Sequence, residues 1–195
     1  MEIKHLVTNK GLKLDGPFLI KPKIFKDERG IFYESWNLRN LEKLLNKKIP
    51  LCQENISQSN KGVIRGLHYQ INPFTQAKIV SCNIGEIFDV VVDIRRGSKT
   101  FGQWSGAILN NKNNNQLYIP EGFAHGFLSL KNLSVVTYLV NNYWSKDHER
   151  AILWSDKQLN IKWPLENLKE NKLIISNKDK KAISFKEFLK SKEVI

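Results

Sequence analysis

The sequence predicts an all-β fold, a sandwich or barrel with few helices. Short segments rich in β-branched and aromatic residues recur along the 195 residues, and turn signals separate them at regular intervals. Helical segments do not alternate with these strands, which argues against a parallel sheet built from βαβ units. Hydrophobic residues make up 41% of the chain and charged residues 26%, so one domain over residues 1–195 with a substantial core is expected.

The predicted strands follow from their apolar and β-branched content, and Gly85 opens the segment 86–94. They cover residues 18–25, 31–36, 63–70, 77–83, 86–94, 103–109, 116–119, 126–130 and 134–140. Residues 26–30 read as a turn, and the polar run 110–115 reads as the tip of a hairpin.

Two peripheral helices are predicted. Leucines at helical spacing favour an amphipathic helix over residues 37–48. Ser184 and Glu187 have the spacing of a capping box and would start a short C-terminal helix. The polar segment 169–181 is expected to be a surface loop.

Charge and composition exclude several classes of protein. The net charge is +12, but the basic residues are mostly Lys and are spread along the chain without interleaved aromatics, so nucleic-acid binding is not predicted. No apolar run approaches the roughly 18–20 residues of a membrane span, and the first residues lack an apolar secretory core. Two cysteines do not make a disulfide scaffold, and a cytoplasmic location is expected.

The histidines favour acid–base chemistry over a metal site. The chain has four, and only His68 and His125 remain for one cavity. The same-face neighbour of His68 is Gln70 rather than a second histidine, so no metal is predicted. Arg65, His68 and Lys78 fall within fourteen residues on adjoining strands. Three potential cations on a core-facing sheet are costly unless an anion binds there, and a nucleotide diphosphate is such an anion.

Several motifs resemble dTDP-4-dehydrorhamnose 3,5-epimerases. They include Val-Ile-Arg-Gly-Leu-His-Tyr-Gln at 63–70, Gly-Ser-Lys-Thr-Phe-Gly at 97–102 and Tyr-Ile-Pro-Glu-Gly-Phe-Ala-His-Gly-Phe at 118–127. Further matches at 76–80, 87–95 and 161–164 extend the resemblance from about residue 18 to 179. It implies a cupin-type jelly-roll barrel with a few short peripheral helices, and an isomerase that uses neither metal nor cofactor.

The resemblance also implies the catalytic roles. His68 matches the base that removes a proton beside a ketone, and Asp179 matches the acid that pairs with it. Tyr138 matches the acid on the opposite face of the sugar, and Lys78 matches the cation near the ketone oxygen. Asp89 could orient either Lys78 or His125.

Substrate contacts carry over from the family in the same way. Arg29 and Arg65 would hold the diphosphate. In a regular strand Arg65 and His68 point to opposite faces, so either a bulge at Gly66 or an Arg65 side chain that enters from the rim is needed to bring them together. Trp144 stands where the family usually has a tyrosine that stacks on thymine. The remaining contacts with sugar and nucleotide would come from Glu34, Gln53, Asn55, His125, Glu149 and Lys178.

The implied function is epimerisation at C3, C5 or both of a nucleotide-linked 4-keto-6-deoxy sugar. The leading expectation is formation of dTDP-4-dehydrorhamnose for surface polysaccharide, by a homodimer whose segments 18–25 and 31–36 cross to the partner. The same chemistry on another nucleotide sugar, such as a GDP-linked heptose, remains an alternative. A second alternative is a non-catalytic cupin that binds a nucleotide sugar.

Overall fold

Two β-sheets packed face to face form the computed structural model, which describes residues 2–168 and 172–195. The first sheet contains, in spatial order, β1 (Glu2–Val7), β2 (Lys13–Lys21), β10 (Gln116–Ile119), β7 (Lys78–Ile84), β12 (Ser134–Val140) and β5 (Gln53–Ser59). The second contains β13 (Glu149–Ala151), β6 (Val63–Gln70), β11 (Phe123–Ser129), β8 (Glu86–Asp93) and β9 (Trp104–Asn110). The fold is a cupin-type jelly roll, as predicted.

The remaining elements lie outside these two sheets. Strands β3 (Ile24–Asp27) and β4 (Gly30–Tyr33) form a separate hairpin, and β14 (Ile174–Ile175) pairs in parallel with β6. The helices are α1 (Leu38–Leu45), α2 (Asn177–Lys180), α3 (Phe185–Lys190) and a 3₁₀ turn at Leu165–Leu168. Within the described ranges, no helix is long and apolar enough to cross a membrane.

Apolar side chains pack in three layers that follow the alternation of the strands. The central layer lies between the sheets and joins Val80 and Val136 of the first to Val91 and Phe127 of the second. Helix α1 covers the outer face of the first sheet. The C-terminal segment covers the outer face of the second, with Phe188 of α3 fully buried there. Both sheets therefore have two covered faces over much of their area.

Most predicted elements are confirmed. Residues 63–70, 116–119 and 134–140 form strands with the predicted bounds, and 77–83, 86–94, 103–109 and 126–130 shift by one to three residues. Asn37 caps α1, whose last residue is Leu45, so the predicted helix is shorter at its C-terminus. The predicted capping box of Ser184 and Glu187 is present at α3.

Two predictions about segments are wrong. Residues 18–25 are not one strand, because β2 ends at Lys21 before Pro22, which has no N–H to donate to a sheet. Residues 174–180 form β14 and α2 rather than a loop, while 169–171 of that predicted loop lie outside the described residues. Strand β5 was not predicted, because its sequence is polar and its only large apolar side chain, Ile56, is exposed.

A bulge in β6 interrupts its pairing with β11. Arg65 lies opposite Phe127 and His68 lies opposite His125, so two residues of β6 face one residue of β11 between these pairs. Gly66, the first of the two, has φ = +119°, a conformation that L side chains rarely adopt. The extra residue turns His68 to the same side as Arg65, and both line one cavity. Of the two alternatives left open by the sequence, the bulge at Gly66 is the one observed.

Gly66→Ala should destabilise the protein by roughly 2–4 kcal/mol, from backbone strain together with overpacking. The added Cβ would lie 2.5 Å from Gly126 Cα and 2.7 Å from the His125 carbonyl oxygen, and both atoms are backbone. Urea unfolding measures the loss. Gly97→Ala is the matched control, since its Cβ would meet nothing within 4 Å. Equal unfolding midpoints for the two variants would contradict the role of Gly66.

Candidate active site

A cleft opens between the sheets beyond the apolar central layer. His68 and His125 reach it from β6 and β11 of the second sheet, and Lys78 and Tyr138 reach it from β7 and β12 of the first. Its inner cavity has a volume of about 170 Å³. The cavity is lined by Asn55, His68, Tyr69, Gln70, Gln76, Lys78, His125, Tyr138, Val140, Trp144 and Glu149. Most of these side chains are polar, in contrast to the layer beside them.

His68 forms a pair with Asp179. Its Nε2 lies 2.6 Å from Asp179 Oδ1. Asp179 belongs to helix α2, and its carboxylate is almost fully buried. Burial alone would raise the pKa of Asp179, but the hydrogen bonds with His68 and with the Gly66 N–H hold that pKa below its usual value. An ionised carboxylate only accepts, so Nε2 carries the hydrogen and the other ring nitrogen is free to take a proton.

Tyr138 brings a protonated phenol to the opposite sheet. Burial raises the pKa of Tyr138, and the hydrogen bond with Ser57 Oγ at 3.2 Å offsets this only in part. The phenol therefore keeps its proton at neutral pH and can act as an acid. The ring also packs edge-on against His125, with 6.1 Å between the ring centroids.

Lys78 brings a cation to the same cleft. Burial lowers the pKa of Lys78 to about 8, while the nearby carboxylates of Asp89 and Glu149 favour its charged form. At neutral pH the ammonium is mostly charged and only weakly hydrated, so an anion that forms in the cleft would interact with it strongly.

A second histidine–carboxylate pair lies deeper in the cleft. His125 Nε2 is 2.6 Å from Asp89 Oδ1, and both side chains are buried. Asp89 lies between Ile87 and Val91 on the inner face of β8, so strand alternation places a carboxylate in the core. Of the two roles left open for Asp89, the hydrogen bond favours orienting His125, and its charge also acts on Lys78.

Arg65 lines an adjoining cavity of about 450 Å³ that shares His68 with the inner one. Its guanidinium donates to Ser59 Oγ and to the Gln58 carbonyl oxygen, which directs it along the edge of β5. Lys178 and Asp179 line the same cavity, and Lys178 also pairs with Glu149 of the inner one. These contacts place basic groups where an anionic extension of a ligand would leave the inner cavity.

Trp144 stands at the rim of the cleft with half of its surface exposed. Its backbone N–H donates to Gln53 Oε1, and Gln53 Nε2 donates to Asn55 Oδ1. The three residues predicted to meet the nucleotide and sugar from this side therefore lie together.

Arg29 and Glu34 lie elsewhere in the described chain. Arg29 pairs with Asp27 on the β3–β4 hairpin, where its side chain is 85% exposed. Glu34 accepts hydrogen bonds from Asn37 and Asn40 at the start of α1. Eleven of the thirteen predicted site residues thus gather around the cleft or its rim, and these two do not.

The prediction missed three polar contributors to the cleft. Gln70 and Gln76 line the inner cavity, and Ser57 binds the Tyr138 hydroxyl. Strand alternation from His68 was enough to place Gln70 on the same face. Ser57 could not be found this way because β5 was not predicted. Among the described residues, His, Cys, Asp and Glu side chains do not gather in threes around a possible metal position.

Comparison with known proteins decides the family. A sequence profile described as dTDP-4-dehydrorhamnose 3,5-epimerase matches residues 11–187. The chain belongs to the dTDP-4-dehydrorhamnose 3,5-epimerase family. It is 52% identical over 149 residues to the enzyme of that name from Shigella flexneri, covering 76% of this chain and 82% of the relative.

Solved structures of the epimerase family are similar over nearly the whole chain. The dTDP-6-deoxy-D-glucose-3,5-epimerase of Legionella pneumophila, in complex with dTDP-4-keto-L-rhamnose, has a TM-score of 0.85 at 43% identity and covers 95% of this chain and 94% of its own. A 3'-monoepimerase from Streptomyces bikiniensis in complex with dTDP-quinovose has a TM-score of 0.83 at 30% identity, covering 90% of this chain and 87% of its own.

Lys78→Met should raise the free energy of unfolding at pH 7, because a buried ammonium disfavours folding. The pKa in the folded chain, about 8, lies below the usual 10.5, so the unfolded chain binds more protons between these values. The charge of Lys78 therefore destabilises the folded chain most below pH 8, and this destabilisation decreases as the pH rises to 10.5. Urea unfolding should show the gain shrinking over that range.

The control for this prediction is Lys131→Met, at an exposed lysine away from the cleft. It should change the unfolding free energy little at any pH. A stabilisation by Lys78→Met that is the same at pH 7 and pH 10.5 would contradict the buried charge as its cause.

Proposed function

We propose that this chain inverts C3 and C5 of dTDP-4-dehydro-6-deoxyglucose, giving dTDP-4-dehydrorhamnose for surface polysaccharide, without a metal or cofactor. The observation that carries the proposal is the set of four groups around one cleft: His68 on one sheet, paired with Asp179 of α2, and Tyr138 and Lys78 on the other sheet. Family membership and relatives 43–52% identical support the same reaction. Residues 1–195 would act as one epimerase domain.

The reaction begins with proton removal beside the C4 ketone. His68 takes the proton, the C–H electron pair forms a carbon–carbon double bond, and the carbonyl π electrons move to oxygen as an enolate. Asp179 holds the imidazole in one tautomer and stabilises the imidazolium that results. Lys78 is the group suited to the negative enolate oxygen, because its charge is poorly solvated in the cleft.

Inversion requires a proton to return to the other face of the same carbon. Tyr138 belongs to the sheet opposite His68 and stays protonated at neutral pH, which suits it to this step. The phenolate that remains would be stabilised by the hydrogen bond with Ser57 and by the positive charge of Arg65. The same pair can act on C3 and on C5, since both carbons neighbour the ketone.

The nucleotide and diphosphate would lie along the rim. Arg65 and Lys178 supply positive charge beside His68, and Trp144 offers an exposed aromatic face for the base. The indole covers a purine better than a phenol ring would, so a GDP-linked 4-keto sugar is the second candidate substrate. The similar solved structures from Legionella pneumophila and Streptomyces bikiniensis are complexes with dTDP sugars, which favours dTDP.

Inversion of both carbons is favoured over inversion of one. The relatives named as 3,5-epimerases are more similar to this chain than the 3'-monoepimerase is. A non-catalytic sugar-binding cupin is disfavoured, because a binding module needs neither a paired base nor an acid on the opposite sheet.

A homodimer would account for the position of Arg29 and Glu34. The β3–β4 hairpin stands apart from both sheets and exposes apolar side chains, Phe32 by 73%. Strand β5 is an edge strand beside the cleft and exposes Ile56. We infer that the hairpin of one subunit crosses to the partner and brings Arg29 and Glu34 to the partner's cleft.

The first test follows deuterium from solvent. Incubation with dTDP- and GDP-linked 4-keto-6-deoxy sugars in deuterated water should place deuterium at C3 and C5 of the dTDP sugar, read by mass and NMR. His68→Asn should slow this exchange by about 10²–10⁴-fold, since a catalytic base is lost. Deuterium at one carbon only would mean that a single centre is inverted. Preference for the GDP sugar would overturn the nucleotide assignment, and no exchange would contradict epimerisation.

Tyr138→Phe should separate the two proton transfers. Removal by His68 would continue and deuterium would still enter the substrate, whereas inversion would slow much more, by about 10²–10⁴-fold, because the acid is missing. The ratio of inversion to exchange, measured by NMR on one sample, gives the result. Equal slowing of both would assign Tyr138 to packing or sugar binding instead.

Sedimentation at assay concentration tests the dimer. The expected species has twice the 22.6 kDa of one chain. Arg29→Ala should weaken substrate binding without altering proton removal once substrate is bound. An active monomer would contradict the shared cleft.

A further inference from the structure

Gln70 holds the peptide groups on both sides of Trp144. Its side-chain Nε2 donates to the Tyr143 carbonyl oxygen at 3.1 Å, and its Oε1 accepts from the Ser145 N–H at 2.6 Å. A further bond from Nε2 reaches the Phe74 carbonyl oxygen at 2.6 Å. The side chain is 5% exposed, so these bonds lie away from competing water.

The position of Gln70 follows from β6. It lies two residues after His68, so strand alternation places both side chains on the inner face. A buried amide must satisfy both its donors and its acceptor, and here all three bonds go to backbone groups of two loops. Strand β6, which carries His68, is thereby linked to the loop that carries the exposed indole of Trp144.

We propose that Gln70 is a positioning residue that determines nucleotide affinity by fixing the backbone at Trp144. This rests on the proposed function in one respect, the assignment of Trp144 to the nucleobase. An indole held in its binding orientation loses less conformational freedom when the base arrives, so affinity rises. The expected effect is on nucleotide binding, which is measured with dTDP alone and so does not depend on proton transfer.

The bonds to Gln70 differ in kind from the contact made by Gln53. Gln53 accepts a hydrogen bond from the N–H of Trp144 itself and is only partly buried. Gln70 is buried and bonds to the residues before and after, so it sets the path of the chain through Trp144. Loss of Gln70 leaves two carbonyl oxygens and one N–H of this region without their partner.

The test is a double-mutant cycle of Gln70→Met and Trp144→Ala, with dTDP affinity measured by calorimetry. Gln70→Met should weaken dTDP binding about five- to tenfold in the wild-type chain, within the range lost when a stacking ring is removed. In the Trp144→Ala chain the same change should raise the dTDP dissociation constant less than about twofold. The effects of two residues that act through one another are not additive. KM for the dTDP sugar should rise by about the same factor as the dissociation constant of dTDP.

Gln103→Met is the matched control. Gln103 is also buried and also hydrogen-bonded through its side chain, to Thr8 and Lys99, away from the cleft. It should leave the affinity for dTDP unchanged, which separates positioning from general destabilisation. If Gln70→Met fails to fold, Gln70→Glu retains the acceptor for Ser145, and its charge effect cancels in the same cycle.

The outcomes separate this inference from the proposed function. Equal weakening by Gln70→Met in both backgrounds, or a fall in maximal rate with KM unchanged, would overturn the positioning role while dTDP binding by the wild-type chain stands. Failure of the wild-type chain to bind dTDP or GDP would overturn the nucleotide assignment and this inference together.

Discussion

Because side chains alternate between the faces of a strand, Arg65 and His68 can share a face only where the regular register of β6 is interrupted. The interruption is the bulge at Gly66, whose neighbours leave no space for a Cβ atom. The Gly66 N–H also reaches the carboxylate of Asp179, so the same backbone position supports the partner of His68. The positions of His68, Asp179 and Arg65 thus depend on one local departure from β geometry.

The cleft concentrates polar groups on strand faces that are apolar elsewhere. Along β7 the inner face carries Lys78 and then Val80, and along β12 it carries Tyr138 and then Val136. Polar groups so placed oppose folding unless they are paired, which is why Asp89 binds His125. The charge of Lys78 still disfavours folding, because burial lowers its pKa toward the neutral range. An active site that stabilises a forming anion needs a poorly solvated cation of this kind.

Sequence patterns predicted the sheets well because their strands are apolar on at least one face. Pattern reasoning failed at β5, which is a polar edge strand, and at α2, which is a single turn within a Lys-rich segment. The resemblance still placed Asp179 beside His68, a pairing across 111 residues that no local pattern contains. Arg29 was predicted to join this site, but it lies on a hairpin that stands apart from both sheets, where it pairs with Asp27.

The division of the proposed catalytic groups between two sheets matches the geometry of inversion. A planar enolate has two faces, and inversion requires a base at one and an acid at the other. His68 belongs to the second sheet and Tyr138 to the first, so a ring held between the sheets would meet them from opposite sides. The apolar layer beside the cleft fixes the separation of the sheets, since Val80 and Val136 pack against Val91 and Phe127. Core packing therefore sets the distance over which the two proton transfers must act.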